Sequence, residues 1–305
     1  MYVGVTDSDW FMTLKEANCD EVNFWKPGGQ TNFKAINEGD LFLFKLHSPN
    51  NFIVGGGFFL KFSILPISLA WDAFGIANGA NDLHEFTNRV YRYKKTNRLS
   101  DPDPQIGCVI LSMPFFLEKI NWIPVPQDWN YNIVQGKTYD TNEHEGLALY
   151  ENVQERIRLP GFGNSLQDVV ADRYGKEQVI RPRLGQGAFK VFVTDAYQRR
   201  CAITGEKTLP VLESAHIKPY SADGPHEISN GLLLRRDFHT LFDRGYITVD
   251  KNLSVVVSQR IKEDFGNGKE YYAHHGQNLI ILPKQLYQMP DTRYLEWHNE
   301  HVYLG

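Results

Sequence analysis

The sequence predicts an α+β protein of two domains, an aromatic, strand-rich N-terminal unit and a C-terminal unit built on a strand–strand–helix core. Three observations predict it. Apolar runs of strand length, separated by turn residues, recur through residues 2–117. A stretch rich in Pro, Asn and Asp at 121–145 interrupts that pattern. From Arg183 onward, short strands and an amphipathic helix carry polar residues at a distinctive spacing. At 305 residues the chain is long enough for two cores.

Residues 2–6 form a short apolar strand. Residues 40–46 and 52–65 read as two strands joined by a turn at Ser48-Pro49-Asn50-Asn51. The stretch Phe52 to Trp71 is nearly all apolar. Its Gly55, Gly56, Gly57, Lys61 and Pro66 suit a bent core strand and a turn rather than a membrane helix. Leu83, Phe86, Val90 and Tyr93 stand at helical spacing within 81–98, and 108–117 reads as a buried strand. After the loop at 121–145, a charged helix over 145–158 leads to a turn at Pro160-Gly161-Phe162-Gly163. The expected division is an N-terminal domain at 1–135, a partly helical linker at 136–183 and a C-terminal domain at 184–305. In the last of these, Phe189, Phe192, Val193, Ala196 and Tyr197 give a helix with one apolar face. A strand at 211–217, a Gly-Leu-Leu-Leu segment opened by Asn230, a helix at 237–242 and a hairpin of 246–249 against 254–257 follow. The tail at 284–305, with Trp297, His298 and His301, is expected to pack on this domain and is assigned no chemistry.

Hydrophobic residues make up 42% of the chain and charged residues 22%, which excludes a disordered or fibrous protein. The net charge of −4 excludes a global basic field but leaves room for a local basic face. Cys19, Cys108 and Cys201 are far apart and form no CxxC pair, so neither a disulfide framework nor structural zinc is expected, and a reduced, cytoplasmic compartment fits. The first ten residues lack the basic and apolar regions of a signal peptide.

The chemistry concentrates in the C-terminal domain. His216 ends a strand, Asn230 follows fourteen residues later and His239 nine after that, with Asp243 four beyond it. On a helix His239 and Asp243 share a face, so an imidazole and a carboxylate can grip one divalent ion. Phosphodiester hydrolysis needs a base for water and a cation for the charge that develops on phosphate. His216 suits the base, because its imidazole titrates near neutrality. Asn230 can hydrogen-bond backbone on both sides and hold the loop that follows His216.

The motifs Arg183-Leu184-Gly185-Gln186, Tyr197-Gln198-Arg199-Arg200-Cys201-Ala202-Ile203-Thr204-Gly205, Ala215-His216-Ile217-Lys218-Pro219, Ser229-Asn230-Gly231-Leu232 and His239-Thr240-Leu241-Phe242-Asp243-Arg244-Gly245 carry a family resemblance. Residues 183–283 resemble the HNH branch of the ββα-metal nucleases, particularly the subgroup found in restriction endonucleases. The resemblance implies a hairpin and a helix gripping one divalent ion, Mg²⁺ or Mn²⁺, with Ni²⁺ or Co²⁺ as alternatives. It makes His216 the general base, Asn230 the loop organiser, and His239 and Asp243 the metal ligands. Many such sites place an Asp or His immediately before the base, where this chain has Ala215. Glu213, two residues earlier on the strand, is the substitute ligand. The family's cysteine zinc knuckle is absent. Arg181, Arg183, Lys190, Arg199, Arg200, Lys218, Arg235 and Arg236 cluster near the motifs, and Lys218, Arg199, Arg200 and Arg235 are the expected phosphate contacts. One HNH site cuts one strand, so double-strand cleavage implies a homodimer.

The pieces Tyr2-Val3-Gly4-Val5, Asn23-Phe24-Trp25, Glu38-Gly39-Asp40-Leu41-Phe42-Leu43-Phe44 and Ile53-Val54-Gly55-Gly56-Gly57 resemble an EVE domain, a small β-barrel related to PUA and YTH modules. Such modules hold modified bases in aromatic pockets, which makes Trp25 and Trp71 the expected cage, with His47 and Asp7 or Asp9 as polar contacts. Together the halves resemble a modification-dependent restriction endonuclease, acting by base flipping on double-stranded DNA with 5-hydroxymethylcytosine or 5-methylcytosine. The competing expectations are an HNH nuclease that reads unmodified DNA, a modified-base-binding protein with a degenerate nuclease, and an RNA-directed nuclease. No membrane association is expected.

Overall fold

The first unit, Met1–Gly185, runs β1 (Tyr2–Thr6), α1 (Ser8–Ala17), β2 (Glu21–Lys26), β3 (Leu41–Leu46), β4 (Phe52–Pro66), α2 (Ile67–Phe74), α3 (Leu83–Lys94), β5 (Gln105–Phe116), β6 (Ile123–Pro124), β7 (Gly136–Thr138) and α4 (His144–Ile157). This computed structural model describes residues 1–28, 33–159 and 184–305. The expected turn at Pro160–Gly163 and the basic residues Arg181 and Arg183 lie outside the described residues.

The strands form one mixed sheet in the order β2-β5-β4-β3-β1-β7, with β6 added on β4. β1 and β3 run parallel, and the other pairs are antiparallel. The α+β class holds, but the expected PUA/EVE-like barrel is not shown: the sheet does not close among the described residues. Closure requires the two edge strands to pair. Instead the three-residue β7 occupies the outer edge of β1, while β2 stands at the far end.

The two-residue period of a strand explains the core. In β3, Leu41 and Leu43 join Val3, Ile53 and Phe115 against Leu149, Tyr150, Val153 and Ile157 of α4. Phe42 and Phe44 face the other way, with Tyr2 and Phe24, against Trp10, Phe11 and Leu14 of α1. Every residue of β3 is buried, as expected of a strand covered on both faces. β4 is bent by two register shifts against β5, and its glycines stand where neighbours press in. A Cβ on Gly55 would lie 2.2 Å from the Phe115 carbonyl oxygen, and one on Gly56 would lie 2.7 Å from that of Phe42. The apolar stretch is therefore β4 followed by α2. No described helix is long and apolar enough to cross a membrane.

Two segments differ from their expected roles. Of the α3 stripe, Phe86 and Val90 are buried, whereas Leu83 and Tyr93 are exposed. Within the stretch expected to be linker, β7 pairs with β1 and α4 closes the leucine face of the sheet.

The second unit, Gln186–Gly305, runs α5 (Gln186–Ala196), β8 (Leu212–His216), β9 (Gly231–Arg235), α6 (Arg236–Asp243), β10 (Ile247–Val249), β11 (Val255–Val257), α7 (Arg260–Phe265), α8 (Lys269–Tyr272) and α9 (Thr292–His301). β8 pairs antiparallel with β9, and β10 with β11. Phe189, Val193, Tyr197, Leu232, Leu234, Phe238, Phe242 and Leu295 are central to its core. On α6, Phe238 and Phe242 point inward at i, i+4, which turns the next residues, His239 and Asp243, onto an adjoining stripe outside that core.

α9 carries a buried imidazole. His298 stacks on Phe242 at 3.8 Å, its Nε2 is 3.1 Å from the Phe242 carbonyl oxygen and its Nδ1 is 2.8 Å from Thr248 Oγ1. A neutral ring donating from Nε2 and accepting at Nδ1 satisfies both contacts. Burial pushes its pKa from 6.5 down to about 4. The unfolded chain therefore binds a proton over a range in which the folded one does not. Stability contributed by this group is full above pH 6.5 and is lost as pH falls toward 4, by about 3 kcal/mol at that limit. Chemical denaturation at pH 7 and pH 4.5 should show this loss, and His298→Gln should shrink the difference. An identical pH dependence in parent and variant would rule the imidazole out as its source.

Candidate active site

β8 ends at His216, whose register partner is Gly231, the first residue of β9. Gly231 is confined by packing: a Cβ there would stand 2.5 Å from Val193 Cγ2. The loop between the two strands is tied by Asn230, which is fully buried. Asn230 Oδ1 accepts from the Lys218 N–H at 2.8 Å, and its Nδ2 donates to the carbonyls of Lys218 and Pro225, both at 2.9 Å. Ile217 N–H also donates to the Asn230 carbonyl at 2.9 Å. One side chain thus fixes the backbone directly after His216 and the backbone ahead of residue 226. An unpaired amide at this depth would carry a desolvation cost, and these bonds remove it.

His216 stacks on Phe189 of α5, with ring centroids 3.9 Å apart and planes 14° from parallel. Its Nε2 lies 2.9 Å from Nδ1 of His226. Burial, reinforced by the imidazoles of His226 and His239, pushes the His216 pKa down to about 4. The ring is therefore neutral near pH 7, the state a base requires. His226 was missed by sequence reasoning, although a histidine in Gly224-Pro225-His226, ten residues past His216 and before Asn230, was a usable signal. Its ring lies parallel to Tyr220, 4.7 Å away and 2° off parallel.

α6 supplies the second half. His239 Nδ1 is 2.8 Å from Glu213 Oε2, and His239 Nε2 is 3.3 Å from Asp243 Oδ2. Arg236 Nε donates to the other Glu213 oxygen at 2.7 Å. Burial raises the Glu213 pKa, but hydrogen bonds from His239 and Arg236 outweigh it and hold the carboxyl below its ordinary value. Burial raises the Asp243 pKa, against the pull of His239 and with the charge of Glu213 adding to the rise. Ala215 is fully buried among core residues, so it contributes no donor.

The donor chemistry fits a divalent cation. Two carboxylates flank one imidazole, and a proton shared between Nδ1 and Glu213 leaves the Nε2 lone pair toward Asp243. Among the described residues no three His, Cys, Asp or Glu side chains are grouped to hold an ion. A site of one imidazole and one carboxylate, completed by water and phosphate oxygens, suits Mg²⁺ or Mn²⁺, which bind through few protein ligands.

The expected phosphate contacts separate into two kinds. Lys218 extends its ammonium over the Trp297 ring at 5.7 Å. Arg200 Nε donates to the Gly205 carbonyl, and Arg199 pairs with Asp195 at 3.3 Å. Arg235, in contrast, is held by both Asp237 oxygens and by Glu270, each at 2.7 Å, so its charge is neutralised within the unit.

In the first unit, half-buried Trp25 and Trp71 both pack on Phe86, at 5.6 and 6.0 Å between centroids. Trp25 Nε1 donates to the Asn78 carbonyl, and the Trp25 ring meets Tyr93 at 5.9 Å. Tyr93 OH donates to Asp7 Oδ2 at 3.1 Å, while Asp7 Oδ1 caps α1 by accepting from Trp10 N–H. His47 is exposed just past β3, before the Ser48–Pro49 turn.

The sequence model of a family described as HNH endonuclease matches residues 201–250, which contain His216, Asn230, His239 and Asp243. A solved structure described as "Modification dependent TagI restriction endonuclease" is 15% identical, with a TM-score of 0.28, over 93% of this chain and 75% of that one. No curated protein matches the chain. Residues 201–250 are thus an HNH endonuclease domain, and the chain that carries it is a metal-dependent endonuclease, a hydrolase of phosphodiester bonds.

Proposed function

We propose that the protein is a modification-dependent restriction endonuclease that hydrolyses double-stranded DNA near 5-hydroxymethylcytosine or 5-methylcytosine. The observation that carries the nuclease half is His216 at the end of β8, stacked on Phe189 and followed by a loop that Asn230 ties at Lys218 and Pro225. His216 takes the proton of the attacking water. Asn230 keeps the following loop in one conformation, so the ring does not lose its aim. His239 and Asp243 hold a divalent cation, and Glu213, on the opposite nitrogen of His239, fixes the tautomer that leaves Nε2 free. A bound cation supplies the stabilisation of charge on the phosphate and the leaving oxygen. Lys218, Arg200 and, on exchanging its Asp195 partner for phosphate, Arg199 contact the phosphate backbone.

For the reading half, the support is the half-buried pair Trp25 and Trp71 on Phe86, joined through Tyr93 to Asp7. Aromatic faces with an adjacent carboxylate suit a flipped cytosine, whose exocyclic amine is a donor. Two copies of the chain are needed for a double-strand break, one site per strand.

The test is cleavage of matched DNAs containing cytosine, 5-methylcytosine or 5-hydroxymethylcytosine, with Mg²⁺, Mn²⁺ or EDTA. Cutting is expected only with metal and only of the modified DNAs, and Trp25→Ala with Trp71→Ala should abolish the preference while the nuclease unit stays folded. Equal cutting of all three DNAs by the parent protein would discard the reader and keep the nuclease.

A further inference from the structure

The contact between His216 and His226 has only one arrangement compatible with a basic His216. At 2.9 Å between Nε2 of His216 and Nδ1 of His226, one ring donates and the other accepts. A neutral imidazole carries a single N–H. If His226 donated, the proton of His216 would sit on Nδ1 and no lone pair would remain outside the pair. If His216 donates, its Nδ1 is bare.

We propose that His226 is a positioning residue for His216: its Nδ1 accepts the His216 Nε2–H and so presents His216 Nδ1 as the atom that takes the proton from water. This rests on the reading of His216 as the base. Independent contacts hold His226 for the task. Its ring lies flat on Tyr220, and the carbonyl of Pro225, immediately before it, is bound by Asn230 Nδ2. Phe189 covers the His216 ring by stacking on it, which sets the plane in which the pair meets. Of the groups facing the pair, Tyr220 and Phe189 contribute rings, and His239 of α6 acts electrostatically on His216. Burial lowers the pKa of His226 as well, which favours the uncharged ring, the form that has a nitrogen lone pair to accept with. The role also accounts for Asn230 binding Pro225 in addition to Lys218, since the second bond sets the place of the acceptor.

The experiment uses the full chain. Nitrogen-15 NMR of the histidine side chains, in metal-free protein at pH 7, should show His216 protonated on Nε2 alone. His226→Phe keeps a ring on Tyr220 and removes the acceptor. It should give a mixture of His216 tautomers and lower cleavage on the order of tenfold to a hundredfold, the range for one hydrogen bond to a group that becomes charged. His226→Asn places an amide oxygen near the former Nδ1 and should recover most of that loss. Parent-like cleavage and an unchanged tautomer in the Phe variant, or an Asn variant no better than Phe, would overturn the proposal. Thermal unfolding checks each variant, and if the Phe variant does not fold, His226→Ala against His226→Asn makes the same comparison. The two readings fail differently. An active His216→Ala removes the base itself, whereas an inactive His216→Ala with a fully active His226→Phe removes only the positioning role.

Discussion

Replacing His216 with alanine is expected to lower DNA cleavage by roughly 10²- to 10⁴-fold, the span contributed by a positioned general base. The loss should fall on turnover, with DNA binding nearly unchanged, because the ring makes no ion pair that would draw a phosphate. Burial and two imidazoles already hold its pKa at about 4, so the parent ring is neutral at working pH and the variant lacks a lone pair rather than a charge. Folding should survive, since Asn230 ties the loop through the backbone of Lys218, Ile217 and Pro225, without using the His216 side chain. The measurement is single-turnover cleavage at saturating metal, with fluorescence anisotropy for binding. A variant within a few-fold of the parent rate would show that another group activates water. Added imidazole, entering the space over Phe189, should restore part of the lost rate.

Replacing His239 with alanine is expected to have a comparable effect by a different route. The imidazole separates Glu213 from Asp243 and is the nitrogen donor of the proposed cation site. Its removal leaves two carboxylates facing one another across a gap. Mn²⁺ affinity, read by calorimetry, and the metal-induced rise in unfolding temperature should both fall. Cleavage should fall with them and recover little at high metal concentration. Glu213→Gln is the informative companion. It keeps an acceptor for His239 Nδ1 while removing a charge, so a loss of about 10–100-fold marks a group that orients the ligand. Unchanged Mn²⁺ affinity in His239→Ala would move the cation site elsewhere.

Much of the local structure was legible from the chain itself. Residues 40–46 read as a strand, and the structure sends its leucines to α4 and its phenylalanines to α1. The i, i+4 spacing of His239 and Asp243 is local geometry, so their adjacency could be read directly. The strand ending at His216 and the burial of Phe189, Val193 and Tyr197 followed from periodicity in the same way.

The identity of most elements and the spacing of the polar set are local properties of the chain, because helix and strand periods belong to neighbouring residues. The pairings between distant segments arise from long-range packing and hydrogen bonding. The parallel pairing of β1 with β3, and β7 on the edge of an open sheet, depend on backbone groups that carry no residue-specific mark. Residues 145–158 read as a charged linker helix until the leucine face of the sheet offered Leu149, Tyr150, Val153 and Ile157 a place to bury. Arg235 looked available to phosphate until Glu270, thirty-five residues on, and its neighbour Asp237 closed on it. His226 was one histidine among ten until the loop tied by Asn230 carried its ring to His216. In each case the deciding term was the burial or hydrogen bonding gained when separated parts of the chain met, which local sequence pattern does not encode.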